Sequence, residues 1–236
     1  MEFIEIATPD GPMRTASAVP AGEAKGAIVV IQEAFGLTEH ICELTDRLAA
    51  VGYRAIAPAL FHRAEKQQFA YDDFDSVLPA IQGLDADEIR ADLDSALALL
   101  ATEGFDKAAT GVVGFCMGGS LALFSATRPG VGAAVSFYGG GVIEGRFGIP
   151  PLVDLAPSIR CPWLGLYGDL DQSIPVEQVE ALRAAASSAR ATSKIVRYSD
   201  AGHGFHCNDR PDHFNAEAAA DAWNSMVAFF DENLRR

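Results

Sequence analysis

The chain of 236 residues is 49% hydrophobic and 21% charged, enough apolar chain for one large core and far from the composition of a disordered segment. Its 32 acidic against 18 basic side chains leave a formal charge of −14, and no Lys/Arg-rich run is present to neutralise phosphates, which excludes nucleic acid as a partner. No apolar stretch is long enough for a membrane span and the start lacks the basic-then-apolar pattern of an export signal, so a cytoplasmic, monomeric protein with one domain over 1–236 is expected.

Residues 2 to 19 alternate as "EFIEIAT", turn at "PDG" and alternate again as "MRTASAV", the pattern of an edge hairpin. "AIVVI" at 27 to 31 is a continuous apolar run suited to a buried central strand, and an amphipathic helix is predicted from about His40 to Val51. "YRAIAPAL" at 53 to 60 gives the next strand. The aromatic-containing segment from Phe61 to about Leu84 carries no clear period and reads as an irregular lid or pocket wall. From Asp87, the spacing of Ile89, Leu93, Leu97 and Leu100 marks one face of a helix. Further strands are predicted at 111 to 115, 131 to 139, 162 to 169 and 193 to 202, and a final helix over "AEAAADAWNSMVAFFDENL". Strands alternating with helices after an initial hairpin define an α/β fold, a mostly parallel sheet covered on both faces.

Four cysteines, Cys42, Cys116, Cys161 and Cys207, are scattered with no C-x-x-C pair, so neither a disulfide framework nor a zinc ribbon is indicated. Cys116 stands apart. In "GVVGFCMGGS" it lies where a strand runs into a helix, with Gly114 and Gly118 two residues to either side, which is the spacing of the nucleophile elbow G-x-S-x-G with sulfur in place of the hydroxyl. The turn is tight enough to demand small neighbours, and the positive end of the following helix favours a thiolate. A buried structural thiol in a glycine-rich turn is the simpler alternative, so the rest of the chain has to decide.

In a parallel sheet the functional groups collect at the C-terminal strand ends. "YGDLDQSIP" offers Asp169 and Asp171 there, and "SDAGHGF" offers His203. Singly, these read as turn residues or a satisfied loop histidine. Together they follow Cys116 in the order nucleophile, acid, base, and each has a task. The imidazole takes the thiol proton and later handles that of water, while the carboxylate fixes its tautomer. "HGFHCNDRPDH" also gathers His203, His206, Cys207, Asp209 and His213, but their spacing lacks the one-face geometry of a metal site, and no metal is expected.

Gly114-Phe115-Cys116-Met117-Gly118-Gly119, Asp171-Gln172-Ser173-Ile174-Pro175, Ala201-Gly202-His203-Gly204-Phe205 and Gln32-Glu33-Ala34-Phe35-Gly36-Leu37 resemble the dienelactone hydrolase family, over nearly the whole chain. The resemblance implies an α/β-hydrolase fold and a cysteine hydrolase that opens small lactones or esters, carboxymethylenebutenolide being the namesake, through a thioester acyl-enzyme and without a cofactor. It selects Asp171 over Asp169, places Glu33 beside the thiol as an aid to its activation, and makes the backbone N–H groups of Ala34 and Met117 the oxyanion donors. The family's founding members carry an arginine four residues after the histidine, where this chain has Cys207. His206 or Arg210 are the candidates to replace that carboxylate clamp, and Arg63 and Tyr138 are further candidates for the substrate pocket. A broader carboxylesterase or thioesterase is the neighbouring reading. A non-catalytic binding or thiol-sensing protein on the same fold is the reading from another class.

Overall fold

In the computed structural model, which describes residues 1–235, one eight-stranded sheet organises the chain. The strands are β1 (Glu2–Thr8), β2 (Gly11–Ala18), β3 (Ala27–Ile31), β4 (Arg54–Pro58), β5 (Thr110–Phe115), β6 (Ala133–Phe137), β7 (Trp163–Gly168) and β8 (Ser193–Tyr198), in spatial order β1-β2-β4-β3-β5-β6-β7-β8. β1 and β2 form the antiparallel hairpin at one edge, β2 runs antiparallel to β4, and all pairs from β4 to β8 are parallel. The central strands are buried along their full length, which is why "AIVVI" and "TGVVGF" read as unbroken apolar or small runs instead of alternating ones.

Helices α1 (Glu39–Ala50), α2 (Phe74–Gln82), α3 (Ala86–Thr102), α4 (Met117–Ala126), α5 (Leu152–Leu155), α6 (Val176–Ala186) and α7 (Ala216–Asn233) supply the crossovers and cover the sheet, with two three-residue 3₁₀ turns at Lys107–Ala109 and Ala156–Ser158. Among the described residues no helix is long and apolar enough to cross a membrane. α2 is a departure from the sequence reading, which left 61 to 84 irregular. Its Asp73 side chain accepts a hydrogen bond from the Ser76 N–H, capping the helix. Pro79 inside it removes one rung and masks the helical period of Phe74, Val77, Leu78 and Ile81.

The tightest packing in the fold is at the joint between β5 and α4. A Cβ on Gly114 would overlap the Gly118 carbonyl, and one on Gly118 would overlap the Ile31 carbonyl at the end of β3. A bonded chain then locks this turn to the sheet: Trp163 Nε1 donates to Ser136 Oγ (2.9 Å), which donates to the Gly119 carbonyl (2.7 Å). Gly114→Ala or Gly118→Ala is therefore expected to lower the unfolding free energy by at least about 2 kcal/mol, as overpacking against rigid backbone does. Gly22→Ala, where a Cβ meets nothing within 4 Å, should stay within about 0.5 kcal/mol of the parent in the same denaturant titration.

Candidate active site

Register brings the strand ends level. Ile31 lies opposite Gly114, Phe115 opposite Phe137, and Gly168 opposite Tyr198. The residues that follow those ends, Glu33, Cys116, Tyr138, Asp171 and His203, are thereby gathered at the C-terminal ends of the parallel strands. Cys116 takes φ 54° and ψ −115°, a conformation that L residues rarely adopt, and its N–H donates to the Phe137 carbonyl (3.1 Å). Its side chain, at the start of α4, is half-buried, whereas Cys42, Cys161 and Cys207 are buried. Burial pushes the thiols of Cys161 and Cys207 up to about 12, the second with help from the charge of Glu33.

His203 bridges sulfur and carboxylate. Its Nε2 lies 3.2 Å from Cys116 Sγ, and its Nδ1 lies 2.7 Å from Asp171 Oδ2. Asp171 is held in turn: its Oδ1 accepts from the Ser173 N–H (2.8 Å), Ser173 Oγ (2.7 Å) and the Ile174 N–H (3.2 Å), which leaves Oδ2 for the imidazole. With Asp171 accepting, Nδ1 carries the proton and Nε2 faces the sulfur. Burial disfavours a charged His203, but the Cys116 sulfur and the Asp171 hydrogen bond outweigh it and push its pKa up to about 10. For Asp171, burial is outweighed by His203 and Ser173, and its pKa falls below the usual carboxylate range. A sulfur, an imidazole and a carboxylate so disposed can share one proton and hold an imidazolium next to a sulfur anion.

Glu33 behaves oppositely. It is 1% exposed, neither carboxyl oxygen has a hydrogen-bond partner among the described residues, and burial raises its pKa against the pull of His40, Arg210, His203 and Tyr138. Tyr138, fully buried with φ 39°, packs its ring 5.2 Å from that of His203, and its hydroxyl feels the charges of both Glu33 and Cys116. The backbone N–H groups of Ala34 and Met117 donate to no other group among the described residues.

Cys116, His203, Ser173 and Ala34 open onto a cavity of about 760 Å³, walled by α2 and the turn around Phe147. Arg63 does not line it. Its guanidinium is bidentate on Asp92 (2.7 and 2.9 Å) and donates twice to the single oxygen Oδ2 of Asp10 (2.7 and 3.0 Å), because Asp92, buried and also bonded to His62 Nε2 (3.1 Å), requires a cation. His206 does not line it either. Only 2% exposed, it packs between Phe115, Phe137 and Trp223, where burial holds its pKa well below the ordinary histidine range. Asp169 is turned away into a bidentate pair with Arg197 (2.7 and 2.8 Å). Arg210 lies over the rings of Phe35 and Tyr71 and donates to His213 Nε2 (3.0 Å), whose Nδ1 donates to the His203 carbonyl (3.0 Å). The histidines of this loop do not converge with other residues into a ligand set among the described residues.

Sequence reasoning missed three groups. Ser173 was within reach, since a serine two residues after an aspartate is an Asx-turn signal. His40 gave none, because the Asn208 Oδ1 that its Nδ1 meets at 2.9 Å lies 168 residues away. Arg146, which lines the cavity and forms no ion pair among the described residues, sits in a turn with no sequence mark of a binding site.

A mixed sheet of this order, an elbow after its central strand and an acid and a histidine after later strands define an α/β-hydrolase. The Dienelactone hydrolase family model matches residues 13–234, and the chain belongs to that family, whose members are hydrolases of ester bonds. A carboxymethylenebutenolidase of Rhodococcus opacus is 30% identical over 211 residues, covering 88% of this chain and 81% of the relative. A protein of Escherichia coli O157:H7 assigned the same activity is 38% identical over 211 residues, covering 87% and 76%. The crystal structure of a protein from Klebsiella pneumoniae subsp. pneumoniae MGH 78578, assigned as a dienelactone hydrolase, superimposes with a TM-score of 0.88 at 35% identity, covering 97% of each chain.

The raised pKa of Glu33 has a consequence for stability. A carboxyl whose pKa is higher in the folded chain contributes stability that is complete below its ordinary value of 4.5 and lost as pH rises toward the folded value. Glu33→Gln removes that linkage. Its unfolding free energy relative to wild type should therefore climb as pH is raised above 4.5, by up to about 1.4 kcal/mol per pH unit. A difference that stays flat between about pH 4 and 8 would mean that Glu33 ionises alike in the folded and unfolded chains.

Proposed function

We propose that the chain hydrolyses lactones or esters with Cys116 as nucleophile, His203 as acid and base and Asp171 as its orienting partner. The observation that carries this reading is the continuous contact from Cys116 Sγ through His203 to Asp171, at 3.2 and 2.7 Å. His203 takes the thiol proton at Nε2, and the thiolate adds to the carbonyl carbon. The developing oxyanion is received by the free N–H groups of Ala34 and Met117. Collapse expels the alkoxide, which leaves as alcohol with the proton from Nε2, and a thioester remains. Water then gives its proton to Nε2 and adds to the thioester; the thiolate departs, and the acid is released.

Glu33 fits this cycle in its protonated form. A neutral carboxyl beside the site does not oppose the sulfur anion, whereas a carboxylate would. Arg210, which pulls on Glu33 from above Phe35 and Tyr71, stands in for the arginine that the family's founding members carry after the histidine.

Cys116→Ala should lose at least about 1,000-fold in kcat with its fold intact, as removal of a triad nucleophile does. Wild type stopped rapidly with an activated ester should carry one acyl group on Cys116 by mass spectrometry; turnover without such an adduct would sink the covalent route. His203→Gln should match the loss of Cys116→Ala, and Asp171→Asn should cost far more kcat than Asp169→Asn. Alkylation of Cys116 at neutral pH should slow sharply in His203→Gln, which loses the imidazole 3.2 Å from the sulfur. Equal alkylation rates in the two proteins would show that His203 does not activate the sulfur.

A further inference from the structure

The cavity beside Cys116 is large for a small lactone ring. About 760 Å³ of open cleft lies between Phe74, Leu78 and Ile81 of α2 on one side and Phe147 and Ile149 on the other, with Gln82 and Arg146 also lining it; the lining is predominantly apolar and of the size that holds a drug-sized ligand. The second wall is a two-residue turn. Ile149 N–H donates to the Arg146 carbonyl (3.0 Å), the pair Arg146–Ile149 forms an antiparallel bridge, and Phe147 and Gly148 both have positive φ, 56° and 71°. The turn is seated on the end of α2's connection to α3, so closely that a Cβ on Gly148 would come within 2.8 Å of the Leu84 carbonyl.

Phe147 is the wrong residue for its place in that turn. Two-residue turns with positive φ at both positions favour Asn, Asp or Gly at the first, and a bulky aromatic is disfavoured there. Among the described residues, positive φ without glycine occurs at Cys116, Tyr138 and Phe147. The first holds the reacting sulfur and the second abuts His203. The third belongs to a separate turn, yet its half-buried ring lines the same cavity as Cys116 and His203. Backbone strain retained at a residue that lines a reaction cavity calls for a role that only this side chain fills.

We propose that Phe147 is the specificity-determining residue of an extended apolar subsite, and that the preferred substrates are esters or lactones carrying a long alkyl or an aryl group. The inference rests on the ester-hydrolase reading above and names its substrate class. Each methylene buried from water against this wall strengthens binding by about fourfold, so an eight-carbon group has ample reach to show the effect.

The test compares ethyl acetate, ethyl octanoate and octyl acetate at concentrations below micelle formation, following acid release by pH-stat in wild type, Cys116→Ala and Phe147→Asn. At least one eight-carbon ester should exceed ethyl acetate in kcat/KM by more than about tenfold in wild type. Phe147→Asn, which suits the turn better, should reduce that ratio at least about fivefold while the thermal midpoint holds or rises. The ester that responds, octanoate or octyl, identifies whether the subsite takes the acyl or the alcohol side. Because the ratio is independent of the amount of active enzyme, a change in folded fraction does not mimic the effect. Turnover that depends on Cys116 but favours neither long ester, or a preference untouched by Phe147→Asn, overturns the subsite and leaves the hydrolase reading standing. No Cys116-dependent turnover of any of the three would overturn both.

Discussion

The contact on which the site depends is backbone against backbone, where α4 leaves β5. Gly114 and Gly118 let the start of the helix approach the end of β3 so closely that no side chain fits between them. The left-handed conformation of Cys116 follows from that approach: the chain reverses within one residue, and the sulfur is presented past the strand end instead of into the core. Trp163, Ser136 and Gly119 hold the turn from the other side, so the strain is balanced by hydrogen bonds that reach two strands away. A side chain placed on such a turn is positioned by its backbone.

Around this fixed sulfur the charges are arranged by opposed environments. Asp171 is buried but accepts three hydrogen bonds at one oxygen and the imidazole at the other, so it stays ionised. Glu33 is buried with no hydrogen-bond partner for either oxygen among the described residues, so it favours its proton. Two carboxyls within one site thereby hold different charge states, and His203 is raised by the ionised one and by the sulfur. In the proposed cycle, a Glu33 that keeps its proton adds no second carboxylate charge to the site.

Much of this was legible in the sequence because it is local or periodic. The buried strands, the elbow glycines and the succession Cys116, Asp171, His203 are written in short stretches whose spacing has one physical meaning. The resemblance to a known family then singled out Glu33, which the spacing alone did not. What escaped was tertiary. Arg63 reads as a pocket residue until the buried Asp92 is seen to claim it, and His206 reads as a loop histidine until three aromatic rings are seen around it. α2 was hidden by its own proline, and the cavity it walls was hidden with it. Phe147 was invisible for a different reason: its sequence neighbours do not reveal that its φ is positive.

α2 also separates two kinds of robustness. Of its nine residues only Val77 is buried, and Pro79 leaves it one intrahelical bond short, so it is held far less firmly than the strands beneath the triad. Substitutions on its cavity face can change the shape of the chamber at little cost to global stability, while the reacting groups keep their positions on the sheet. The positions of Cys116, Asp171 and His203 are set by the sheet, while the shape of the cavity depends on a wall that the core holds less firmly.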